Sequence, residues 1–132
     1  MGGRDWTSTA LALLRIVAAL LFIEHGTAKL IGWPPSEMPQ PPGGSLMWIG
    51  GVLEAVGGVL ILLGLFTRPI AFILAGEMAV AYWMFHAPQG PFPMNNGGDA
   101  SILFCFVFLF IAAAGPGRLA LDHSRRSTAR ID

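Results

Sequence analysis

Four apolar stretches of the chain are separated by short polar segments. They are residues 10–31, 46–66, 69–85 and 98–115. A helix needs roughly 20 residues to cross the hydrocarbon core of a bilayer, so the first two are full spans and the last two are short but workable ones. The pattern predicts an all-α integral membrane protein, a four-helix bundle that forms a single membrane domain.

Composition supports this prediction. Hydrophobic residues make up 54% of the 132 residues and charged residues only 12%, whereas soluble domains carry about 25% charged residues. The first stretch follows a basic residue, as a signal peptide does, but it contains Arg15 and runs on to Glu24 without a small-residue cleavage site. We therefore expect it to be retained as a span. The expected partners are the lipid bilayer and other membrane protein subunits or a second copy of the chain; nucleic acid is not expected.

Arginine and lysine residues predict the orientation. With four crossings, one side holds Arg4, Arg68, Arg118, Arg125, Arg126 and Arg130. The opposite loops, 32–45 and 86–98, contain no lysine or arginine. The positive-inside rule then places both termini, and the arginine-rich tail at 118–132, in the cytoplasm.

The two outer loops are rich in proline and glycine. Residues 33–44 cannot be helical throughout, and 87–98 end in a turn and helix-start signature at which Asn96 or Asp99 is a candidate cap of the fourth helix. Two interpretations stay open: rigid outer turns, or a lid over a site that opens outward.

Ionisable residues inside the spans are the main candidates for chemistry. They are Arg15, Glu24, His25, Lys29, Glu54 and Glu77, with His86 and Asp99 at the margins. A charged side chain at mid-bilayer costs on the order of 2.5–3.5 kcal/mol on insertion scales. These groups must therefore face one another or a polar cavity, and they mark a candidate functional site.

Helical phase indicates which way these groups point. At about 100° per residue, Arg15, His25 and Lys29 share one side of the first helix, and Glu24 lies about 180° from Arg15, so it must meet a different helix or another subunit. In the second span, glycines recur every seven residues on the face that carries Glu54. Such glycines allow a neighbouring helix to approach closely, so Glu54 is expected to point into the bundle.

Matching depths predict three polar pairs across the bundle. At about 1.5 Å per residue, Arg15 lies level with Glu77. The same count pairs His25 with Glu54, and Lys29 with Asp99. We expect Arg15 and Glu77 to form a structural ion pair. For the outer groups, ion pairs that only fix helix register and a functional site both stay open.

The chain resembles the DoxX family of four-helix bacterial membrane proteins in four motifs, taken in chain order. They are His25-Gly26-Thr27-Ala28-Lys29-Leu30 (HGxxKL); Glu54-Ala55-Val56-Gly57-Gly58 followed by Leu63-Gly64-Leu65-Phe66-Thr67-Arg68; Asn96-Gly97-Gly98-Asp99; and Gly115-Pro116-Gly117-Arg118-Leu119-Ala120-Leu121-Asp122 (GPGxxSLD). Asp99 stands where the family commonly has glutamate, and Ala120 replaces serine. The resemblance covers about residues 8–122.

The resemblance implies a location and a function. The best-defined relatives are membrane subunits of a thiosulfate:quinone oxidoreductase, and other members are linked to redox and thiol stress. It therefore implies a membrane subunit of a quinone-linked oxidoreductase system in the bacterial inner membrane. No flavin, nicotinamide or iron–sulfur motif is present, and the single cysteine, Cys105, excludes a dithiol mechanism within one chain.

The polar residues fit such a role. A quinone head needs hydrogen-bonding groups and a proton-exchanging carboxylate or imidazole beside apolar walls. We expect an outward-opening pocket made of His25, Lys29, Glu54 and Asp99, with Phe22, Trp48 and Trp83 as its aromatic walls. Quinone is the one candidate cofactor, with no covalent cofactor and no metal site expected.

Other functions stay open at this stage. A non-catalytic structural or anchoring subunit of a larger membrane complex suits the short loops, the glycine faces and the lack of a soluble domain. A haem site would have to use His25 and His86 as its ligands. It is disfavoured because His86 lies at the end of a span. A transporter of four helices would have to oligomerise to enclose a path. The sequence does not separate an enzyme from an accessory subunit.

Overall fold

The computed structural model describes residues 2–128, with side chains from 6 to 126, and over this range the chain is helical with no strands. The elements in chain order are α1 (Gly2–Ile31), α2 (Leu46–Leu63), α3 (Thr67–Ala81), a π-helical turn (Tyr82–His86), a 3₁₀ turn (Ala87–Gln89), α4 (Pro93–Asn96), α5 (Asp99–Ala114) and α6 (Leu121–Thr128).

Three of these helical segments are long and apolar enough to cross a membrane. They are Trp6–Ile31 of α1, α2, and α3 with its continuation to Gln89, whereas α5 is a shorter apolar helix of 16 residues. The prediction of an all-α membrane protein is confirmed. Helix α2 ends at Leu63, three residues before the predicted end, because Gly64 takes a left-handed conformation (φ 67°) and closes the helix.

The bundle is made of two helix pairs. Helix α1 packs along α2, α3 packs along α5, and the pairs meet between α2 and α3, while the backbones of α1 and α5 lie farther apart and meet through aromatic side chains such as Phe22 and Phe108. The core lies where the pairs meet and includes Phe22, Ile61, Leu74 and Phe108. Many large apolar side chains on the outside are exposed, as expected for helices that face lipid tails.

Glycines allow close helix approach on two faces of α2. A Cβ added at Gly26 of α1 would lie 2.5 Å from the backbone nitrogen of Ala55. On the other face, a Cβ at Gly57 would lie 2.8 Å from a methyl group of Leu74 in α3. Helix α2 is therefore the central helix, held at close distance by a neighbour on either side.

Arg15 organises the end of the bundle that carries the arginines, called here the arginine end (Arg15, Arg68 and residues 115–126). Its side chain is fully buried. The guanidinium donates hydrogen bonds to the carbonyls of Ile61 and Leu62 in the last turn of α2, both at 2.7 Å. It also donates to three carbonyls of the 116–119 loop at 2.8–3.1 Å. All five N–H groups of the guanidinium are thus used.

The predicted ion pair between Arg15 and Glu77 is not formed. Backbone carbonyls take the guanidinium donors, and the Glu77 carboxyl lies beside Glu54 in the middle of the bundle. The physical reason is the end of α2, whose last carbonyls have no partner within the helix. Neutral acceptors in fixed positions satisfy five donors, whereas one carboxylate would satisfy two.

Two further residues complete helix ends at the arginine end. The carboxylate of Asp122 accepts hydrogen bonds from the backbone N–H groups of Phe66 (2.9 Å) and Thr67 (3.0 Å), and so caps the start of α3. Arg68 donates to two carbonyls in the last turn of α5. Each of these helix ends is satisfied by a side chain from a distant part of the sequence.

We expect Gly26→Ala to separate α1 from α2 and to lower the free energy of unfolding by about 1–3 kcal/mol, the range for overpacking. The matched control is Gly76→Ala in α3, where an added Cβ would meet nothing within 4 Å and should leave stability equal or slightly higher. Thermal unfolding in detergent micelles measures both. Equal losses in the two variants would contradict the close approach at Gly26.

We expect Arg15→Met to destabilise the protein by several kcal/mol, because it leaves buried carbonyls unpaired at about 1–3 kcal/mol each. Glu77→Leu should not rescue it. A double-mutant cycle of the two changes should give a coupling energy within about 0.5 kcal/mol of zero. Substantial recovery of stability in the double mutant would contradict this expectation, because it would indicate that Arg15 and Glu77 do form an ion pair.

A pH dependence follows from the cap at Asp122. Partial burial acts to raise its pKa, but the hydrogen bonds from Thr67 and Phe66 and the charge of Arg125 outweigh it, so the pKa lies below its ordinary value. A lowered folded-state pKa gives stability that is present above the unfolded value, about 3.9, and is lost as pH falls through the folded value.

We therefore expect Asp122→Ala to lower the free energy of unfolding by about 1 kcal/mol at neutral pH. The difference from the native protein should shrink as pH falls below about 4. Chemical unfolding in detergent at a series of pH values measures it. Glu37→Ala, which removes an exposed loop carboxylate, serves as the control and should leave stability unchanged; a pH-independent effect at Asp122 would contradict the carboxylate cap.

Candidate functional site

Three ionisable side chains from three helices meet in the middle of the bundle. Lys29 of α1 forms an ion pair with Glu54 of α2, with Nζ and Oε1 2.7 Å apart. The Glu54 carboxyl also lies within hydrogen-bonding reach of the Glu77 carboxyl of α3. Glu54 is 3% exposed, whereas Lys29 keeps 26% of its side chain accessible. We call this group the Lys29–Glu54–Glu77 triad.

Two adjacent glycines of α2 make room for the triad. A Cβ at Gly50 would lie 3.2 Å from Oε1 of Glu77, and one at Gly51 would lie 2.9 Å from the Cβ of Lys29. Gly50 is one helical turn before Glu54 on the same face. The glycine pattern thus places the ends of the Lys29 and Glu77 side chains against Glu54 from opposite sides.

The charges of the triad balance only when a proton is shared. Two ionised carboxylates with one ammonium would leave a net negative charge in an apolar bundle, which is costly. Adjacent carboxyls do not both ionise easily, and they titrate as a coupled pair. From outside the pair of carboxyls, no donor among the described residues reaches Oε2 of Glu54 or Oε2 of Glu77. The triad is thus able to take up and release a proton, or to accept a hydrogen bond from a ligand.

His25 lies near the triad but makes its contacts elsewhere. Its ring lies within electrostatic range of Glu54, yet its Nδ1 is 2.7 Å from the carbonyl oxygen of Leu21, one turn back in α1. Its ring meets the Phe104 ring of α5 edge-on, with centroids 6.2 Å apart. The predicted pairing of His25 with Glu54 is therefore replaced by an imidazole that faces the gap between α1 and α5.

Asp99 is not a partner of Lys29. It is exposed in the first turn of α5, and the ammonium of Lys29 is paired with Glu54 instead. The reason is the arrangement of the helices: the backbone of α1 packs closely on α2 and less closely on α5, so Lys29 reaches Glu54 of α2. The predicted closure of the pocket by Lys29 and Asp99 does not occur.

The predicted aromatic walls divide among three environments. Phe22 is fully buried, with its ring centroid 5.4 Å from Phe104 and 4.8 Å from Phe108. Trp48 is half-buried at the start of α2. Trp83 is 71% exposed on the π-helical turn. Phe22 therefore belongs to the core, and Phe104, which sequence reasoning missed, is the aromatic ring beside His25.

Asn96 fastens the outer segment between α3 and α5. Its side-chain amide donates to the Gly90 carbonyl at 2.9 Å and its Oδ1 accepts from the backbone N–H of Gly98 at 2.8 Å. Its own carbonyl oxygen lies 3.1 Å from Nδ1 of His86. These bonds favour a fixed turn over a movable lid for this segment, and they use His86 structurally.

Sequence reasoning also missed the role of Glu77, which it paired with Arg15. The sequence feature that could have placed Glu77 beside Glu54 is Gly50. A glycine one turn before a buried carboxyl leaves space for a second side chain. Within residues 6–126, no group of three or more His, Cys, Asp and Glu side chains is arranged to hold a metal ion.

Comparison with known proteins gives the family. The sequence model of the DoxX family matches residues 10–87, more than half of the chain. An uncharacterized protein of Haemophilus influenzae is 46% identical over 118 residues, covering 86% of this chain and 88% of its own length. The inner membrane protein YphA of Escherichia coli is 33% identical over 124 residues, covering 85% and 87%. No solved structure matches the chain significantly.

Proposed function

Since this chain belongs to the DoxX family of membrane proteins, we propose that it is the membrane subunit of a quinone-linked oxidoreductase system. In this proposal the Lys29–Glu54–Glu77 triad exchanges protons with a bound quinone or quinol. The observation that carries it is the pair of adjacent carboxyls, of which Glu54 is ion-paired with Lys29, that each keep a buried oxygen with no donor from elsewhere in the described residues. A structural ion pair with Lys29 needs only one carboxylate, so we expect the second carboxyl to have a functional role.

The proton chemistry of a quinone matches the triad. Reduction of a quinone to a quinol takes up two electrons and two protons, and oxidation releases them. A carboxylic acid within the bundle supplies or receives a proton, and Lys29 contributes an ammonium donor for a quinone oxygen. The electrons enter from a partner subunit or from the reduced substrate.

His25 and Phe104 form the side from which a ring would approach. Because a carbonyl oxygen only accepts hydrogen bonds, Nδ1 of His25 carries the proton in its contact with Leu21. With the proton on Nδ1, Nε2 of a singly protonated ring would be the acceptor for a quinol hydroxyl. The Phe104 ring beside it supplies the apolar surface.

A non-catalytic subunit is the second candidate, and Glu24 favours it. Its carboxylate lies in α1 and is exposed, although a carboxylate that faces lipid is costly. A neighbouring subunit, or a second copy of the chain, would relieve that cost with a hydrogen-bond donor or a cation. Such an association is the feature that an anchoring subunit requires.

The test is to purify the protein from its native membrane, extract the lipids, and measure quinone per chain by mass spectrometry. We expect quinone to accompany the native protein, and Glu54→Gln and Glu77→Gln to reduce the bound quinone about tenfold or more, since each removes a charge-assisted hydrogen bond to the ligand. Glu24→Gln is the matched control, because it neutralises a carboxylate on the outside of the bundle.

Infrared difference spectra on quinone reduction supply a second measurement. The native protein should show a change in the carbonyl band of a protonated carboxyl group, and either triad variant should lose it. Absence of quinone from the native protein, together with no response to added quinone, would overturn the proposal. A stable protein partner without quinone would then support the anchoring subunit.

A further inference from the structure

An open groove lies at the arginine end, where α1 and α5 diverge. Its volume is about 1130 Å³. The backbones of α1 and α5 are less closely packed than those of the two helix pairs. One wall is apolar and consists of Ala10, Leu11, Leu14, Phe110 and Ala114.

The other side of the groove is basic. Arg68, His123 and Arg126 line it, and no Asp or Glu lies among its lining residues in the described part of the chain. Arg68 uses Nη1 on the last carbonyls of α5, and its other N–H groups stay available. The nearby carboxylate of Asp122 is committed to the cap of α3.

We propose that this groove binds one anionic phospholipid, with the phosphate of its headgroup against Arg68 and Arg126 and an acyl chain along Leu11, Leu14 and Phe110. Arginine suits phosphate because its N–H groups match two phosphate oxygens at once. Basic pockets between membrane helices bind anionic lipid headgroups in this way. This site is at the opposite end of the bundle from the proposed quinone contacts.

The apolar wall argues for a lipid over free phosphate. Leu14 is 39% exposed and Phe110 55% exposed, so the wall opens sideways toward the bilayer. The basic side lies beside Gly115, just past the C-terminal end of the apolar helix α5. A soluble anion would use only the basic side, whereas a phospholipid uses both.

The experiment is native mass spectrometry of the protein from nanodiscs that hold phosphatidylglycerol and phosphatidylcholine in equal amounts. We expect one phosphatidylglycerol to be retained selectively. Arg126→Gln should weaken retention about fivefold, as expected for one arginine near an anionic headgroup. Arg125→Gln is the matched control, because its guanidinium lies over the Phe66 ring at 4.0 Å and does not line the groove.

A second variant tests the apolar wall without a change of charge. Ala10→Phe should fill the groove and abolish selective retention, while the melting temperature in detergent shows that the variant folds. Equal retention of both lipids by the native protein, equal loss in Arg125→Gln and Arg126→Gln, or displacement by inorganic phosphate would each overturn the proposal.

Discussion

The hydrogen bonds of the Arg15 guanidinium are the interaction on which the bundle depends. Arg15 and Ile61 are fully buried, so water does not reach the last carbonyls of α2 and the protein itself must satisfy them. Arg15 does this for α2 and also binds the 116–119 loop. With the end of α2 fixed, the chain turns at Gly64 and α3 begins under the cap of Asp122. One side chain of α1 thus sets where three later segments lie.

The membrane-spanning helices could be predicted from the sequence because the apolar stretches are long. A run of about 20 apolar residues leaves few alternatives to a helical span, and glycines every seven residues correctly orient Glu54 inward. The polar pairs could not be predicted, because matching charges by depth ignores neutral acceptors. For that reason the hydrogen bonds from Arg15 to backbone carbonyls were not foreseen. Lys29 pairs with Glu54 because α1 packs closely on α2. Helical phase does not reveal which helices are neighbours, so it could not predict this pair.

The buried charges fall into two kinds. At the arginine end every donor of Arg15 is matched by an acceptor, so its role is fully explained by structure. In the triad, two carboxyl oxygens have no partner within the described residues. An unpaired acceptor at such a depth costs free energy that helix packing alone does not require. The difference between satisfied and unsatisfied groups, more than the presence of charge, is what separates a structural contact from a candidate site.

The glycines that assemble the triad also create the gap between α1 and α5. Close approach of α2 to α1 on one face and to α3 on the other leaves the backbones of α1 and α5 farther apart, so that these two helices meet only through large side chains such as Phe22 and Phe108. His25 and Phe104 lie along this gap away from the arginine end, and the basic groove occupies it at the arginine end. In the two proposals, a phospholipid would fill one end of the gap and the quinone ring would enter at the other. Close packing around Glu54 would then be the physical reason that both ligands share one side of the molecule.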